Sequence, residues 1–308
     1  MYKDVLDYVC CPICKNNLYF REQVLFCEKC SKNYEIENGV IKFDGNMSPD
    51  LKLSIKKWDE LYAKEIAENT YSQKFDIYDE KYAKNLIGQI LELKDGRKAY
   101  LEIGCGQFFN GIKLARDFDV LIGIDICPSA LAIAKKMFEE KNIGNFILIQ
   151  GNILDMPLRP NSIDFIYGGG VIEHFQDTQK CVNELYRCLS HNGVSFNTVP
   201  YLNLGSLTYR QIWGNIPNMP ILKQLAEFVH IRLLKSRHMI FGYEFSFTAR
   251  KMEKIHQAAG FGKNNVRVEK FDVDLIFEFL PKFSRKLAAY LANNVRLFWP
   301  MIKVVAKK

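Results

Sequence analysis

Four cysteines near the N-terminus are spaced as metal ligands. Cys11 and Cys14 form one C-x-x-C pair, Cys27 and Cys30 form another, and twelve residues separate the two pairs. Each pair places two thiolates on one side of a tight turn, and two such pairs complete the tetrahedral Cys₄ set of a zinc site. Four thiolates leave no open coordination position, so the pattern predicts a structural rather than a catalytic Zn²⁺. Cys10 adjoins the first pair and is not expected to be a ligand.

The stretch LEIGCGQFFNG contains a second candidate site. Glu102 lies near the end of an apolar segment, and Gly104 and Gly106 allow a sharp turn and the close approach of a ligand. Asp125 ends the next apolar segment, where a carboxylate can accept hydrogen bonds from a ribose diol. Position 109 is phenylalanine, whereas dinucleotide motifs carry a third glycine there. The pattern therefore favours a nucleoside ligand without a diphosphate.

Residues 98–200 resemble class I S-adenosylmethionine-dependent methyltransferases in five successive motifs. These are LEIGCG, GIDICPSALAIAKK, QGNILDMPL, SIDFIYGGGVIEHFQD and LYRCLSHNGVSFNTVP. Two motifs depart from the family pattern, because Asn152 stands where aspartate is usual and residues 191–193 replace Pro-Gly-Gly. The resemblance extends over residues 55–200 and 245–308. It implies S-adenosylmethionine as the cofactor rather than a nicotinamide nucleotide.

The resemblance also implies roles for individual residues. It places Asp125 at the ribose, Ile126 beside the adenine and Asn152 at the adenine edge. The implied cofactor-binding residues are Glu102, Gly104, Cys105, Gly106, Asp125, Ile126, Asn152, Ile153, Gly168 and Gly169. Glu173 and His174 follow as candidate catalytic residues. Imidazole can take a proton from an oxygen or nitrogen acceptor near neutral pH, and Glu173 can orient the acceptor. A structural role at a helix end is the alternative for His174.

From residue 98 onward, short apolar segments alternate with helical patterns. This alternation predicts an α/β fold with a parallel sheet and helices on both faces. The resemblance specifies it as a Rossmann-like methyltransferase sheet of seven strands, preceded by a small β-rich zinc ribbon. We expect a zinc-ribbon module over residues 1–45, a linker and helices over 46–97, and a methyltransferase domain over 98–308. Within that domain, an insertion at about 201–245 is expected to cover the acceptor.

The N-terminal module resembles the short zinc-ribbon proteins that activate methyltransferases or are fused to them. A module of this size cannot build a sufficient apolar core, so a metal would stabilise it. The ribbon is expected either to support the catalytic domain or to engage the acceptor, and the sequence leaves both roles open.

Basic residues are concentrated in the last third of the chain. Residues 201–308 contain 18 Lys and Arg against 7 Asp and Glu, a net charge of +11, whereas residues 1–45 have a net charge of −1. A positive field attracts anions. The cations of the insertion are interleaved with aromatic residues and are Arg210, Lys223, Arg232, Lys235 and Arg237. The preferred prediction is methylation of oxygen or nitrogen on a small or lipid-linked anionic acceptor.

Three alternatives stay open at this point. Basic and aromatic residues also suit RNA, although a zinc module without a basic excess argues against an RNA methyltransferase. Apolar positions 221, 222, 225, 228 and 229 suit either a helical cap packed on the core or an interfacial helix in peripheral contact with a membrane. The departures at Asn152 and residues 191–193 leave a catalytically degenerate scaffold as the third alternative.

Composition favours a cytoplasmic protein, with membrane association as a further expectation. Only four of the nine cysteines follow a paired pattern, which fits a reducing compartment with one metal site better than a disulfide framework. No apolar run approaches the roughly 18 residues of a membrane span. The first residues lack the apolar core of a secretory signal. No feature of the sequence predicts an oligomeric state.

Overall fold

A computed structural model describes residues 4–43, 49–237, 239, 242–272 and 282–308. The chain divides into two compact units. The first unit comprises residues 1–167, 184–195 and 308, and the second comprises 168–183 and 196–307. The turn-rich segment DGNMSPD (44–50), which the sequence predicts as a linker, and the amphipathic pattern of residues 276–299 lie partly outside the described residues. The domain boundaries proposed from the sequence stay predictions.

The first unit begins with short antiparallel strands around the cysteines. A 3₁₀ turn over Asp4–Asp7 precedes them. The strands are β1 Tyr19–Arg21, β2 Val24–Cys27, β3 Lys32–Glu37 and β4 Val40–Lys42. Neighbouring strands pair in sequence order, β1 with β2, β2 with β3 and β3 with β4.

Helices and parallel strands then alternate as the apolar pattern predicts. The helices are α1 Pro49–Glu68, α2 Tyr71–Tyr78, α3 Lys84–Lys94, α4 Phe109–Lys113 and α5 Pro128–Glu140, with a π-helical turn over Asp79–Ala83 between α2 and α3. The strands are β5 Ala99–Ile103, β6 Val120–Asp125, β7 Phe146–Gln150 and β8 Ile163–Gly169, with a 3₁₀ turn over Ile153–Asp155 after β7. The parallel strands are almost wholly apolar because side chains on both faces are covered.

Strand β4 joins the cysteine-rich strands to this parallel sheet. The order within the first unit is β1–β2–β3–β4–β7–β6–β5–β8, and β4 pairs parallel with β7 so that Val40 lies opposite Leu148. The N-terminal segment therefore extends the edge of the sheet instead of standing apart from it. The apolar pattern of the sequence does not reveal this pairing, because it predicts that β4 and β7 are strands but not which strand lies beside which.

The second unit is built mainly from the last hundred residues. Helix α6 Thr178–Cys188 and strand β9 Leu189–Pro200 contribute residues to both units. The later elements are β10 Ile216–Pro217, α7 Pro220–Glu227, β11 Phe245–Ser246, α8 Ala249–Ala259, β12 Val266–Phe271, α9 Lys282–Asn294 and β13 Met301–Lys307. Irregular helical turns cover Ile172–His174, Tyr209–Trp213, Phe228–Leu233, Lys263–Asn265 and Arg296–Phe298.

The second unit, like the first, contains antiparallel strand pairs. Strand β13 lies beside β9 and pairs antiparallel with β12, while β10 and β11 form a separate parallel pair. The structure thus confirms a Rossmann-like fold with a mixed sheet. The count of seven strands stays a prediction.

We call α7 and the helical turn that follows it, Phe228–Leu233, the insertion helix. Several of its large apolar side chains are exposed. Ile221, Leu225 and Phe228 are 81%, 59% and 52% exposed, whereas Ala226 and His230 are buried. Nε2 of His230 lies 2.6 Å from the amide oxygen of Gln211. Of the five apolar positions that suggested a packed cap, Ile221, Leu225 and Phe228 therefore face outward, while Leu222 and Val229 are half-buried.

Candidate cofactor and acceptor sites

The glycine turn after β5 is held against the end of β6. Gly104 and Gly106 have φ angles of +56° and +51°, a region that favours glycine. The Asp125 carboxylate accepts hydrogen bonds from the backbone N–H of Gly106 at 2.7 Å, of Ile126 at 2.7 Å and of Cys127 at 2.9 Å. Burial raises the pKa of Asp125 above its ordinary value, while these backbone donors lower it. Oδ2 accepts one of these bonds and retains capacity for a further donor.

Glu102 is a buried carboxyl inside a side-chain network. Tyr100 donates its hydroxyl to Oε2 at 2.8 Å, and the Asn110 amide donates to Oε1 at 2.7 Å. Tyr78 in turn donates to the amide oxygen of Asn110. Burial raises the pKa of Glu102 to about 8, although the Asn110 and Tyr100 hydrogen bonds lower it. A cation placed beside Glu102 would favour its ionised form.

The remaining cofactor candidates of the first unit lie beside this turn. Cys105 is buried in the turn, and its backbone N–H donates to the Ile124 carbonyl at 3.1 Å. The N–H of Gly151 donates to the Asp125 carbonyl at 2.9 Å, which places the segment after β7 next to the end of β6. In that segment, Asn152 accepts a hydrogen bond from Leu154 N–H at 3.0 Å and Ile153 is buried. The sequence-predicted residues of this unit therefore converge at the carboxyl ends of β5, β6 and β7.

Helix α1 adds residues that the motifs did not identify. Asp59 accepts a hydrogen bond from the N–H of Ser129 at 2.9 Å, at the beginning of α5. The Tyr62 hydroxyl lies 3.0 Å from where a side chain at Gly106 would begin, so only glycine fits there without a shift. Burial, with Asp125 as the next cause, raises the pKa of Tyr62 above its ordinary value. Only the helical pattern of α1 was visible in the sequence, since the contact depends on how α1 crosses the turn.

The four predicted metal ligands come together in space. The sulfur atoms of Cys11, Cys14, Cys27 and Cys30 all lie within 4.8 Å of one another. Tetrahedral zinc–thiolate bonds of about 2.3 Å are compatible with such a cluster. Cys10 lies outside the cluster, and its thiol donates to the Leu158 carbonyl at 3.1 Å. The donor set and its spacing therefore fit a metal held by four thiolates.

In the second unit, Gly168 and Gly169 end β8 and the Glu173–His174 pair follows within a 3₁₀ turn. His174 Nδ1 lies 2.8 Å from the Tyr243 carbonyl oxygen. A carbonyl only accepts, so Nδ1 carries the proton and Nε2 of the neutral ring keeps a lone pair. Glu173 is 1% exposed.

The structure corrects the role expected for Arg210. This guanidinium is 6% exposed and binds both carboxylate oxygens of Glu244 at 3.2 and 3.0 Å through Nη2. Its charge is therefore balanced inside the unit and is not presented to an anion. Lys223 forms an ion pair with Glu227, with 3.8 Å between Nζ and Oε1. Arg232, Lys235 and Arg237 are exposed. Of the five cations of the insertion, three are therefore exposed and available to an anionic acceptor.

The fold is similar to that of solved methyltransferase structures. The structure of Haemonchus contortus phosphoethanolamine N-methyltransferase 2 with phosphomonomethylethanolamine and S-adenosylhomocysteine is 19% identical, with a TM-score of 0.51 over 73% of this chain and 52% of that chain. A chain from the complex of the Haloferax volcanii Trm112 methyltransferase activator is 14% identical, with a TM-score of 0.50 over 81% of this chain and 96% of that chain. Such identities show a shared fold.

Sequence comparison identifies the central segment itself. Residues 101–196 match the family described as methyltransferase domain. An uncharacterized methyltransferase from Bacillus subtilis, YcgJ, is 27% identical over 131 residues, which are 41% of this chain and 52% of that relative. The chain thus spans about half the length of this relative. Residues 101–196 are therefore similar to a methyltransferase domain, in the region where the motifs predicted one.

Proposed function

We propose that the protein transfers a methyl group from S-adenosylmethionine to oxygen or nitrogen of a small or lipid-linked acceptor. The observation that carries this proposal is the convergence of Glu102, the Gly104–Gly106 turn and Asp125 at the ends of β5 and β6. In this assignment Asp125 binds the ribose, Ile126, Asn152 and Ile153 surround the adenine, and Glu102 faces the positively charged end of the cofactor. When bound, the cofactor supplies an activated methyl group, and the protein contributes orientation and exclusion of water.

In the same proposal, His174 acts as the base toward the acceptor. The hydrogen bond from Nδ1–H to the Tyr243 carbonyl fixes the tautomer and leaves Nε2 able to accept a proton. Gly168 and Gly169 are assigned to the cofactor-binding set at the end of β8. The four-cysteine cluster is assigned a structural Zn²⁺, because its four thiolates match that donor set.

Substitution of Asp125 tests the cofactor assignment. Asp125→Ala is expected to weaken S-adenosylmethionine binding about 10- to 100-fold, since a hydrogen bond to a charged group contributes about 1.5–3 kcal/mol. Calorimetry with the wild type and with Asp119→Ala, an exposed aspartate just before β6, provides the matched comparison. Equal affinities in all three proteins would disprove the assignment of Asp125.

Labelled cofactor tests the acceptor class. Radiolabelled S-adenosylmethionine is incubated with the protein and a cell extract, which is then separated into RNA, protein, lipid and small-molecule fractions. The proposal expects label in the lipid or small-molecule fraction. Label chiefly in RNA would favour the rival RNA methyltransferase, and cofactor binding without transfer to any fraction would favour a scaffold.

The lipid-linked form of the proposal rests on exposed apolar residues within a basic unit. Helix α9 exposes Phe283, Leu287 and Tyr290 at 88%, 61% and 61%, in addition to the three exposed residues of the insertion helix. Residues 282–308 contain seven Lys and Arg and no Asp or Glu. Apolar faces flanked by cations suit the surface of an anionic membrane. Among the described residues, no helix combines the length and the apolar composition needed to cross a bilayer.

Vesicle binding tests this surface. The wild type is expected to co-sediment with phosphatidylcholine vesicles only when they also contain phosphatidylglycerol. Changing Ile221, Leu225 and Phe228 together to serine should reduce binding at least about tenfold, because each loses the gain from burial in the interface. A variant with Leu61→Ser and Ile66→Ser, which are both 43% exposed on α1, is the control. Equal binding by both variants would exclude this surface as the membrane contact.

A further inference from the structure

A cluster of buried polar residues lies within the second unit. It consists of Glu173, Arg210, Asn215, Glu244 and Ser246, which are at most 7% exposed, and we call it the Glu173 cluster. Both carboxylate oxygens of Glu244 have hydrogen-bond partners. Glu244 binds Arg210 through both oxygens and also accepts from the Asn215 amide at 2.9 Å.

Four other polar atoms of the Glu173 cluster have no hydrogen-bond partner in the described part of the chain. Among the described residues, no hydrogen bond reaches Oε2 of Glu173, Nε of Arg210, Oδ1 of Asn215 or Oγ of Ser246. A buried polar atom left unpaired costs about 1–3 kcal/mol, and native proteins contain few of them. Four such atoms in one cluster are therefore unexpected for a purely structural core and indicate a group that binds there.

The cluster is also placed where α/β proteins bind ligands. The turn that carries Glu173 follows the carboxyl end of β8 and packs against β11, which carries Ser246. Glu173 Oε1 lies 3.6 Å from where a side chain at Gly170 would begin, and the N–H of Gly170 donates to the Thr198 carbonyl near the end of β9. The carboxyl ends of sheet strands are the usual ligand-binding edge of such folds.

The charges of the Glu173 cluster restrict what it can bind. Arg210 and Glu244 offset each other, so Glu173 is the remaining ionisable group and no positive charge is left for a phosphate or carboxylate. Burial, with Glu244 as the next cause, raises the pKa of Glu173 well above its ordinary value. The unpaired atoms include two oxygens that can accept, one N–H that can donate and one hydroxyl that can do both. An amine or a hydroxyl group matches this set, because it offers N–H or O–H hydrogens and a lone pair.

We propose that the Glu173 cluster is a subsite for an N–H or O–H group of the acceptor, with Glu173 Oε2 and Asn215 Oδ1 accepting its hydrogen bonds. This rests on the proposed methyl transfer and specifies the part of the acceptor that enters the second unit. Any anion of the acceptor contacts other residues, such as the exposed cations of the insertion. The cluster thus selects for an amine or hydroxyl end.

Variants of the cluster separate a binding role from a structural one. Glu173→Gln and Ser246→Ala are expected to reduce transfer of labelled methyl groups into the small-molecule and lipid fractions of a cell extract at least about tenfold. Their melting temperatures should be unchanged or higher, because Ser246→Ala removes a buried hydroxyl that has no partner and Glu173→Gln replaces a buried ionisable group with a neutral one of the same size. Ser206→Ala is the matched control: Ser206 is also fully buried, but its hydroxyl donates to the Asn203 carbonyl at 2.8 Å. This control should lower the melting temperature and leave transfer intact.

Calorimetric binding of S-adenosylmethionine is measured in parallel for every protein. Unchanged cofactor affinity together with lost transfer in both cluster variants supports the subsite. Wild-type transfer rates in both variants would overturn the subsite proposal and leave the proposed function standing. Failure of the wild type itself to bind the cofactor would instead refute the proposed function.

Discussion

Replacing Cys27 with serine is expected to release the proposed zinc, lower the melting temperature by more than about 10 °C and weaken cofactor binding about tenfold. Structural zinc contributes many kcal/mol to the folding of small modules, and 1 kcal/mol corresponds to about 2–4 °C in domains of 150–250 residues. The effect should spread beyond the module because β4 pairs with β7 and extends the sheet edge next to the proposed adenine segment.

Backbone hydrogen bonds provide the route for this effect. The N–H of Cys10 donates to the Pro157 carbonyl at 2.9 Å, and the N–H of Arg159 donates to the Tyr8 carbonyl at 2.7 Å. The Arg159 side chain also donates to the Leu6 carbonyl at 2.6 Å. The loop after Asn152 and Ile153 is therefore fixed by the N-terminal segment, and loss of the module should loosen it.

Cys10→Ser is the matched control for Cys27→Ser. Cys10 is equally buried and adjacent to the cluster, and a serine hydroxyl can still donate to the Leu158 carbonyl. Elemental analysis, thermal unfolding and calorimetry measure zinc, stability and cofactor affinity for both variants. Full zinc content in Cys27→Ser would refute the metal assignment. Zinc loss with unchanged cofactor affinity would show that the module does not support the adenine segment.

Cofactor affinity is expected to rise with pH up to about 8 through the ionisation of Glu102. Burial raises the pKa of this carboxyl to about 8 in the free protein, so the neutral form predominates below that pH. A positively charged ligand favours the ionised form, and its binding must therefore release the proton. Each pH unit below 8 then reduces the fraction of ionised Glu102 about tenfold, which gives a limit of roughly 100-fold weaker binding at pH 6.

Calorimetry in two buffers with different ionisation enthalpies measures the released proton directly. The wild type should release close to one proton at pH 7, and Glu102→Gln should release none from this site. The amino group of the cofactor titrates in both proteins, so the difference between their pH profiles isolates Glu102. Identical profiles for the two proteins would show that Glu102 stays in one protonation state during binding.

Much of the candidate cofactor site could be predicted because it is encoded in short, contiguous patterns. The glycine turn and Asp125 each lie at the end of an apolar strand, and parallel strands bring such ends to one edge of the sheet. Asp59 and Tyr62 could not be identified in this way. Their role depends on how α1 crosses the turn, and hydrophobic periodicity does not specify a crossing direction.

The sequence also could not show which charged residues of the second unit are paired. In the sequence, Arg210 is one of five cations of the insertion that is expected to cover the acceptor. The partner of Arg210 is Glu244, which lies 34 residues further along the chain, near the other end of the insertion. Packing decides whether residues so far apart in sequence form an ion pair. A count of charges within a segment therefore does not predict which of them are free to bind an anion.

By itself, the sequence determined the four-cysteine pattern, the alternation of strands and helices, and the methyltransferase motifs with their glycine turn. These features depend on residue types at fixed local spacing, which strand and turn geometry convert directly into position. Only the tertiary structure decided that β4 extends the sheet beside β7, that Arg210 is neutralised, and that Ile221 and Leu225 face outward. The physical reason is that edge pairing, buried ion pairs and the orientation of an amphipathic helix all depend on partners distant in sequence, whose contacts have no local signature.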